Sequence, residues 1–297
     1  ANVRGRVLRR RGGREQIPLE IFLVDADLTY AGFPYPLKHA EGLIQVDGEE
    51  IRVRGVTARD GATVMSCSGT IRNLSGDPEI DLRIEAERLP LDARLKAAVG
   101  PEGRRLWDLF EPPGELDLVW HGRKQPGKEL AHESRARCLG NQAKYRDLPL
   151  PVTDLRGEVF MEGGKFRLNH LIGKVKGGEV ELHGVIEGDA LSLHVDGTGL
   201  PMDDELKAAL PPELSDILKN LNIAGTTSFN AGLIFRKDVR QVDLVCRLSK
   251  GSIGTDIRLE DVEGTVTLTG YAGADSQYIG FMNFTHALLW GKRLTDL

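Results

Sequence analysis

The sequence predicts a mainly β protein: an elongated, curled antiparallel sheet interrupted by short helical crossings, in about two and a half repeats of ~111 residues. Three observations carry that expectation. A sentence of sequence is written twice, as "LPLDARLKAAVGPEG" from Leu89 and "LPMDDELKAALPPEL" from Leu200. Between the copies, apolar and charged residues alternate with a period of two, the spacing of a strand with one face buried. Glycine is abundant, 35 of 297 residues, and aromatics are scarce at 6%, which favours many strands and tight turns over a bulky aromatic core.

The repeat can be followed residue by residue. At an offset of 111, Pro90 falls on Pro201, Asp92 on Asp203, Leu95 on Leu206, Lys96 on Lys207, Ala98 on Ala209 and Gly114 on Gly225. Upstream the offset is 115, with Gly42 on Gly157, Ile44 on Val159, Ile51 on Phe166, Val53 on Leu168 and Gly69 on Gly184. The four residues lost between the blocks place "NLSGDPEI" opposite "EGDA", a hairpin loop where length changes cost least. "GTVTLTG" from Gly264 repeats "GEVFMEG" from Gly157, and "RGRVLRRRGGRE" near Gly5 resembles "PGELDLVWHGRK" near Gly114. The units are 1–41 (partial), 42–156, 157–263 and 264–297 (partial), within a single repeat domain over 1–297 that opens and closes in mid-repeat.

Within a unit, Val159, Met161, Phe166, Leu168, Val180, Leu182, Leu191 and Leu193 fall on one face. Glu158, Glu162, Lys165, Arg167, Glu179, Glu181, His183 and His194 fall on the other. "MEGGK", "VKGGE" and "IEGDA" read as hairpin turns. In the earlier unit Ile80, Leu82, Ile84 and Ala86 alternate with Asp81, Arg83, Glu85 and Glu87. The duplicated sentence breaks this period. Asp92 and Asp203 have the character of N-caps, and Pro211-Pro212 opens a second short helix with Leu214, Ile217, Leu218 and Leu221 at helical spacing. Two short helices cannot cover about five strands, so the sheet either closes as a sandwich or leaves an apolar trough.

Composition narrows the function classes. A formal charge of −5 argues against a nucleic-acid partner. Cys67, Cys138 and Cys246 are too few and too widely spaced for a disulfide framework or zinc site, and read as small apolar strand residues. No HExxH, GxSxG, Walker A or GxGxxG pattern occurs, so neither an enzyme nor a cofactor is expected. His183 and His194 lie on neighbouring strands of one polar face, without carboxylates at ligand spacing. No run of about 18 apolar residues is present. The N-terminus has no apolar segment after its arginines and reads as an Arg-rich hairpin turning at "RGGRE". Trp107 and its equivalent Leu218 fall in the helical crossing, where a bulky residue either packs or gates.

The stretch "LPVTDLRGEVFMEGGKFRLNHLIGKVKGGEVELHGVIEG", with its Gly-opened strand, acidic-Gly turn and strand ending in "HGVIEG", resembles the AsmA/TamB-like proteins of Gram-negative envelopes. The likeness runs from about Gly32 to Gly270. It implies a repeating β-groove that conducts phospholipid between inner and outer membranes. It also implies a periplasmic location, and a membrane anchor in a segment outside this chain. The candidate lining is Ile44, Val46, Ile51, Val53 and Leu82 in the earlier unit, with Val159, Met161, Phe166, Leu168, Val180, Leu182, Leu191 and Leu193 in the later one. The expected partners are phospholipid, the membrane and other envelope proteins. A second reading is an assembly scaffold for outer-membrane biogenesis, recruiting β-proteins through exposed sheet edges.

Overall fold

A computed structural model describes residues 2–5, 18–30, 33–145, 148–209, 212–236, 239–254, 256–272 and 277–295. The Arg-rich turn anticipated near the N-terminus lies outside these residues. Strand dominates, and the strands belong to one antiparallel sheet that does not close on itself, with few short helices. Contacts group the chain into two compact units: Ala1–Trp107 with Pro113–Leu139 and Val159–Gly164, and Asp108–Pro112 with Gly140–Glu158 and Lys165–Leu297.

The first unit is a meander of β1 (Asn2–Gly5), β2 (Leu19–Tyr30), β3 (Phe33–Asp47), β4 (Glu50–Asp60), β5 (Thr63–Arg72), β6 (Glu79–Pro90) and β7 (Glu115–Lys124), with the start of β8 (Ala131–Tyr145). Helices α1 (Ala93–Ala98) and α2 (Pro101–Phe110) interrupt it between β6 and β7. β9 (Leu148–Glu162) follows. The second unit continues with β10 (Lys165–Val175), β11 (Gly178–Glu187), β12 (Ala190–Pro201), β13 (Ala224–Arg236), β14 (Val239–Ile253), β15 (Leu259–Ala272), β16 (Gln277–Leu289) and β17 (Lys292–Thr295). Its helices α3 (Asp204–Ala209) and α4 (Pro212–Asn220) lie between β12 and β13, the equivalent place. The shortened loop is where the offsets put it: Asn73–Pro78 joins β5 to β6, and only Gly188 and Asp189 join β11 to β12.

Equivalent residues adopt equivalent backbone. Gly42 and Gly157 have φ of 140° and 127°, Gly69 and Gly184 of 141° and 155°, and Gly114 and Gly225 of 120° and 131°. These angles are open to glycine alone among common residues. The registers slip at matching places too, between Val53 and Val56 as between Leu168 and Leu171, and between Ala86 and Leu89 as between Gly197 and Leu200. Each slip contains a residue with positive φ: Gly55, His170, Arg88 and Gly199. These are β-bulges, which bend a strand and shift its side-chain phase by one. The inward set of β4 accordingly changes from Ile51 and Val53 to Val56 and Ala58, and that of β10 from Phe166 and Leu168 to Leu171 and Val175.

Each unit has its own core, and each core lies beneath its own helices. In the first, Tyr35, Ala58, Met65, Ala86, Leu89, Leu95 and Ala98 are buried together, with Trp107 packed against them. In the second, Val180, Leu200, Met202, Leu206, Ala209, Leu248 and Val262 are buried, with Leu218 packed against them. Trp107 and Leu218 are therefore packing residues. Leu214 and Ile217 have side chains outside the described set.

The helices are anchored at their starts, as the sequence suggested. Asp92 accepts from the Arg94 and Leu95 amides at 2.9 and 3.0 Å, and Asp203 accepts from the Leu206 amide at 2.9 Å. A hairpin tip then fastens each first helix to the sheet. In the first unit Arg94 Nη1 reaches Asp60 at 2.7 Å. In the second the charges are exchanged: Lys176 reaches Asp203 at 2.6 Å and also pairs with Glu205, the equivalent of Arg94.

The bond from Arg94 holds the Asp60 carboxyl below the usual range, and the Lys176 ammonium does the same for Asp203. Burial pushes Asp92 up, but its amide and Arg94 bonds outweigh that and leave it lowered. Carboxyls depressed in the folded state stabilise it above their unfolded pKa of about 4 and lose that contribution as pH falls through the folded value. Lys176 is raised, so its contribution holds at neutral pH and disappears only in strong base. The thermal midpoint is expected to drop between about pH 4 and pH 2, and Asp203→Asn to flatten that limb. A scan of melting temperature against pH checks both.

Candidate apolar groove

The sheet face that carries the cores extends beyond the helices. In the first unit the registers lay Val46, Ile51, Ile71 and Ile80 side by side across β3 to β6. One step nearer the bulges runs a second row of Ile44, Val53, Gly69 and Leu82, ending on Gly122 of β7. Every one of these apolar side chains is half-buried. The opposite face carries Arg52, Arg54, Arg72, Asp81, Arg83 and Glu85, all exposed. Beyond the bulges the same face holds Val56, Ala58, Met65 and Ala86, which are buried. Among the described residues, the helices thus cover one end of the apolar face and leave the other only partly buried.

In the second unit Leu168, Gly184, Leu193, Leu233 and Val242 share a row across β10 to β14. Leu168, Leu193 and Leu233 are half-buried. Phe166 and Leu191 are buried, and Val180 belongs to the core beneath the helices, with Leu182 packed on it. These last four lie on the expected face, but Phe166, Leu191 and Val180 offer little surface. Val159 and Met161 are half-buried in β9.

Sequence reasoning missed the floor of this face. Several inward glycines have a ring lying over them. A β-carbon on Gly122 would stand 2.1 Å from the Trp120 ring, one on Gly197 2.4 Å from Phe229, one on Gly264 2.6 Å from Phe284, and one on Gly270 2.3 Å from Tyr278. The missing side chain lets each ring lie nearly flat along the sheet and fill the space with apolar surface. All four rings remain half-buried, so they line the face. The signal was available: Phe229, Phe284 and Tyr278 each stand directly opposite their glycine on the neighbouring strand.

Burial raises the thiol pKa of Cys67 and Cys246, and pushes Cys138 up to about 11, which leaves them inert as nucleophiles. On the polar face His183 packs against His194 with ring centroids 4.8 Å apart and the rings tilted by 38°, and His170 lies 6.3 Å from His183. Among the described residues no three His, Cys, Asp or Glu side chains converge as metal ligands. No helix among them is long and apolar enough to cross a membrane.

No family model matches the chain, and neither the curated proteins nor the solved structures give a match.

Proposed function

We propose that the apolar face shields the acyl chains of phospholipid while headgroups stay in water, without catalysis. Such a chain would act as a groove segment of an envelope protein that moves lipid between membranes. The observation that carries the reading is the end of the face in the first unit that no helix covers among the described residues, where the apolar rows from Ile44 to Leu82 stay only partly buried and adjoin the helix-capped core, with Ile44 and Val53 packed against it. A purely structural sheet face of this length would be expected to be capped along its whole extent. The resemblance of the Leu150–Gly188 stretch to AsmA/TamB-like repeats supports the same reading.

The energetics fit a conduit. At about 0.8 kcal/mol per buried CH₂, a sixteen-carbon chain gains on the order of 10 kcal/mol on leaving water. It gains a similar amount in a bilayer, so exchange between the two is nearly balanced and the cargo is not trapped.

The test is the phospholipid retained by the purified chain, quantified by mass spectrometry of solvent extracts. Ile44→Lys with Val53→Asp places an ion pair at two directly opposed inward positions. Retained lipid is expected to fall by roughly five-fold or more, with the circular dichroism unchanged. Wild-type protein free of lipid after expression and gentle purification would overturn the reading.

A further inference from the structure

We infer that Arg240 binds the phosphate of a phospholipid whose acyl chains lie on the inward face of the second unit. The inference rests on the lipid-shielding reading and adds to it the chemical group that the sheet recognises.

The placement of charge carries it. Across β10 to β14 the outermost inward row is Phe166, Ile186, Leu191, Phe235 and Arg240. The next row toward the helices is that of Leu168, Leu193, Leu233 and Val242. Arg240 is the one charged residue in the two rows. A shift of one residue along β14 would have put the charge on the polar face. Solubility is served by charges there, so a cation among inward apolar side chains needs another reason.

The first unit repeats the arrangement with a difference. Its outermost row of Val46, Ile51, Ile71 and Ile80 leads to Lys124 on β7. Lys124 and Phe235 are equivalents at the offset of 111, so the cation has moved one strand along while staying in the row. The Lys124 side chain is only 18% exposed, and its ammonium pairs with Asp77, which also accepts from the Gly127 amide. Arg240 is exposed. Of the two cations, Arg240 is the one that faces solvent.

Its chemistry suits a phosphate. Arg240 Cζ lies 5.9 Å from the centroid of the Phe235 ring, a cation–π distance that keeps the side chain over the apolar row. A guanidinium resting on a ring keeps the N–H donors in its own plane for a phosphate, whose oxygens match that fork. Val242 stands two residues along the strand, about 7 Å away, the scale of the glycerol unit between a phosphate and its acyl chains. A lipid with its phosphate on Arg240 therefore lays its chains over Leu233 and Leu193, both half-buried.

The experiment offers the intact chain mixed detergent micelles with equal amounts of diacylglycerol and phosphatidic acid of the same acyl chains. The lipid retained is counted by mass spectrometry. The wild type is expected to favour phosphatidic acid by about five-fold or more. Arg240→Gln is expected to bring the ratio close to one, and Arg240→Lys to keep part of the preference. Arg236→Gln, exposed on the outward face of β13, is expected to leave the ratio unchanged. Equal retention of the two lipids by the wild type, or a preference indifferent to Arg240→Gln, would overturn the inference and leave the shielding reading standing. Retention of neither lipid would overturn both. Inorganic phosphate alone, at about 1 mM, is expected to keep its phosphorus NMR line width in the presence of the protein. Broadening that Arg240→Gln removes would assign the residue to free phosphate and overturn the lipid contact.

Discussion

Gly184→Ala is expected to cost more than about 3 kcal/mol, and to unfold the second unit at temperatures where the wild type is intact. The residue has φ of 155°, and a β-carbon there would stand 2.1 Å from the Ser192 carbonyl oxygen and 2.9 Å from the Leu193 Cα. Both are backbone atoms of the paired strand, so relief requires opening the β11–β12 ladder. Its equivalent, Gly69, would meet the Asp81 carbonyl oxygen at 2.1 Å and should behave alike. Gly163 provides the contrast. It has positive φ in a hairpin turn, and a β-carbon there would meet nothing within 4 Å, so Gly163→Ala should cost only about 1 kcal/mol of left-handed backbone strain. Urea denaturation of the three variants measures the difference. Equal costs at Gly184 and Gly163 would show that the close approach is not what fixes the glycine.

Leu89→Ala and Leu200→Ala are expected to lose about 2–5 kcal/mol each, as truncations of side chains enclosed in a core. The two residues are repeat equivalents, 1% and 2% exposed, at the bulge where strand gives way to the helical crossing. Each belongs to a core built from both sheet and helix residues, Leu89 with Leu95 and Ala98 and Leu200 with Leu206 and Ala209, so the space left by truncation closes only if sheet and helices shift together. Leu82→Ala, on the part of the same face that the helices do not cover, should cost less, about 1 kcal/mol, because that side chain is only partly buried in the folded protein. The comparison separates core from groove on one strand. A cost at Leu82 equal to that at Leu89 would mean that the open end of the face is as enclosed as the capped end.

How much of this was legible in the sequence depends on the kind of feature. The strands, turns, N-caps and loop shortening were all readable, since each is local: a period of two, a Gly-Gly turn, an aspartate before Leu95 or Leu206. The bulges escape a strict period of two, which runs straight through them. Their trace is an apolar spacing of three where two is expected, as in Val53 to Val56, Leu168 to Leu171 and Ala86 to Leu89. That slip explains why Phe166 and Leu168 are joined on the inward face by Leu171 and Val175. The exchange of charge between Asp60–Arg94 and Lys176–Glu205 was hidden as well. Neither pair is local, and a repeat comparison position by position sees only a mismatch. The candidate lining was legible as a face but not as a surface. Alternation assigned Val53, Leu82, Phe166 and Val180 to one side without distinguishing those beneath the helices or enclosed by neighbours from those left open.

The central claim is that the open rows hold acyl chains, and position-resolved photo-crosslinking tests it most directly. A photoreactive residue at Val53 or Leu193, on the inward face, is compared with one at Arg52 or Ser192, the adjoining residue on the polar face. Phospholipid adducts at Val53 and Leu193, with none at Arg52 and Ser192, are the predicted result. Adducts at neither pair, or equally at both, would contradict it.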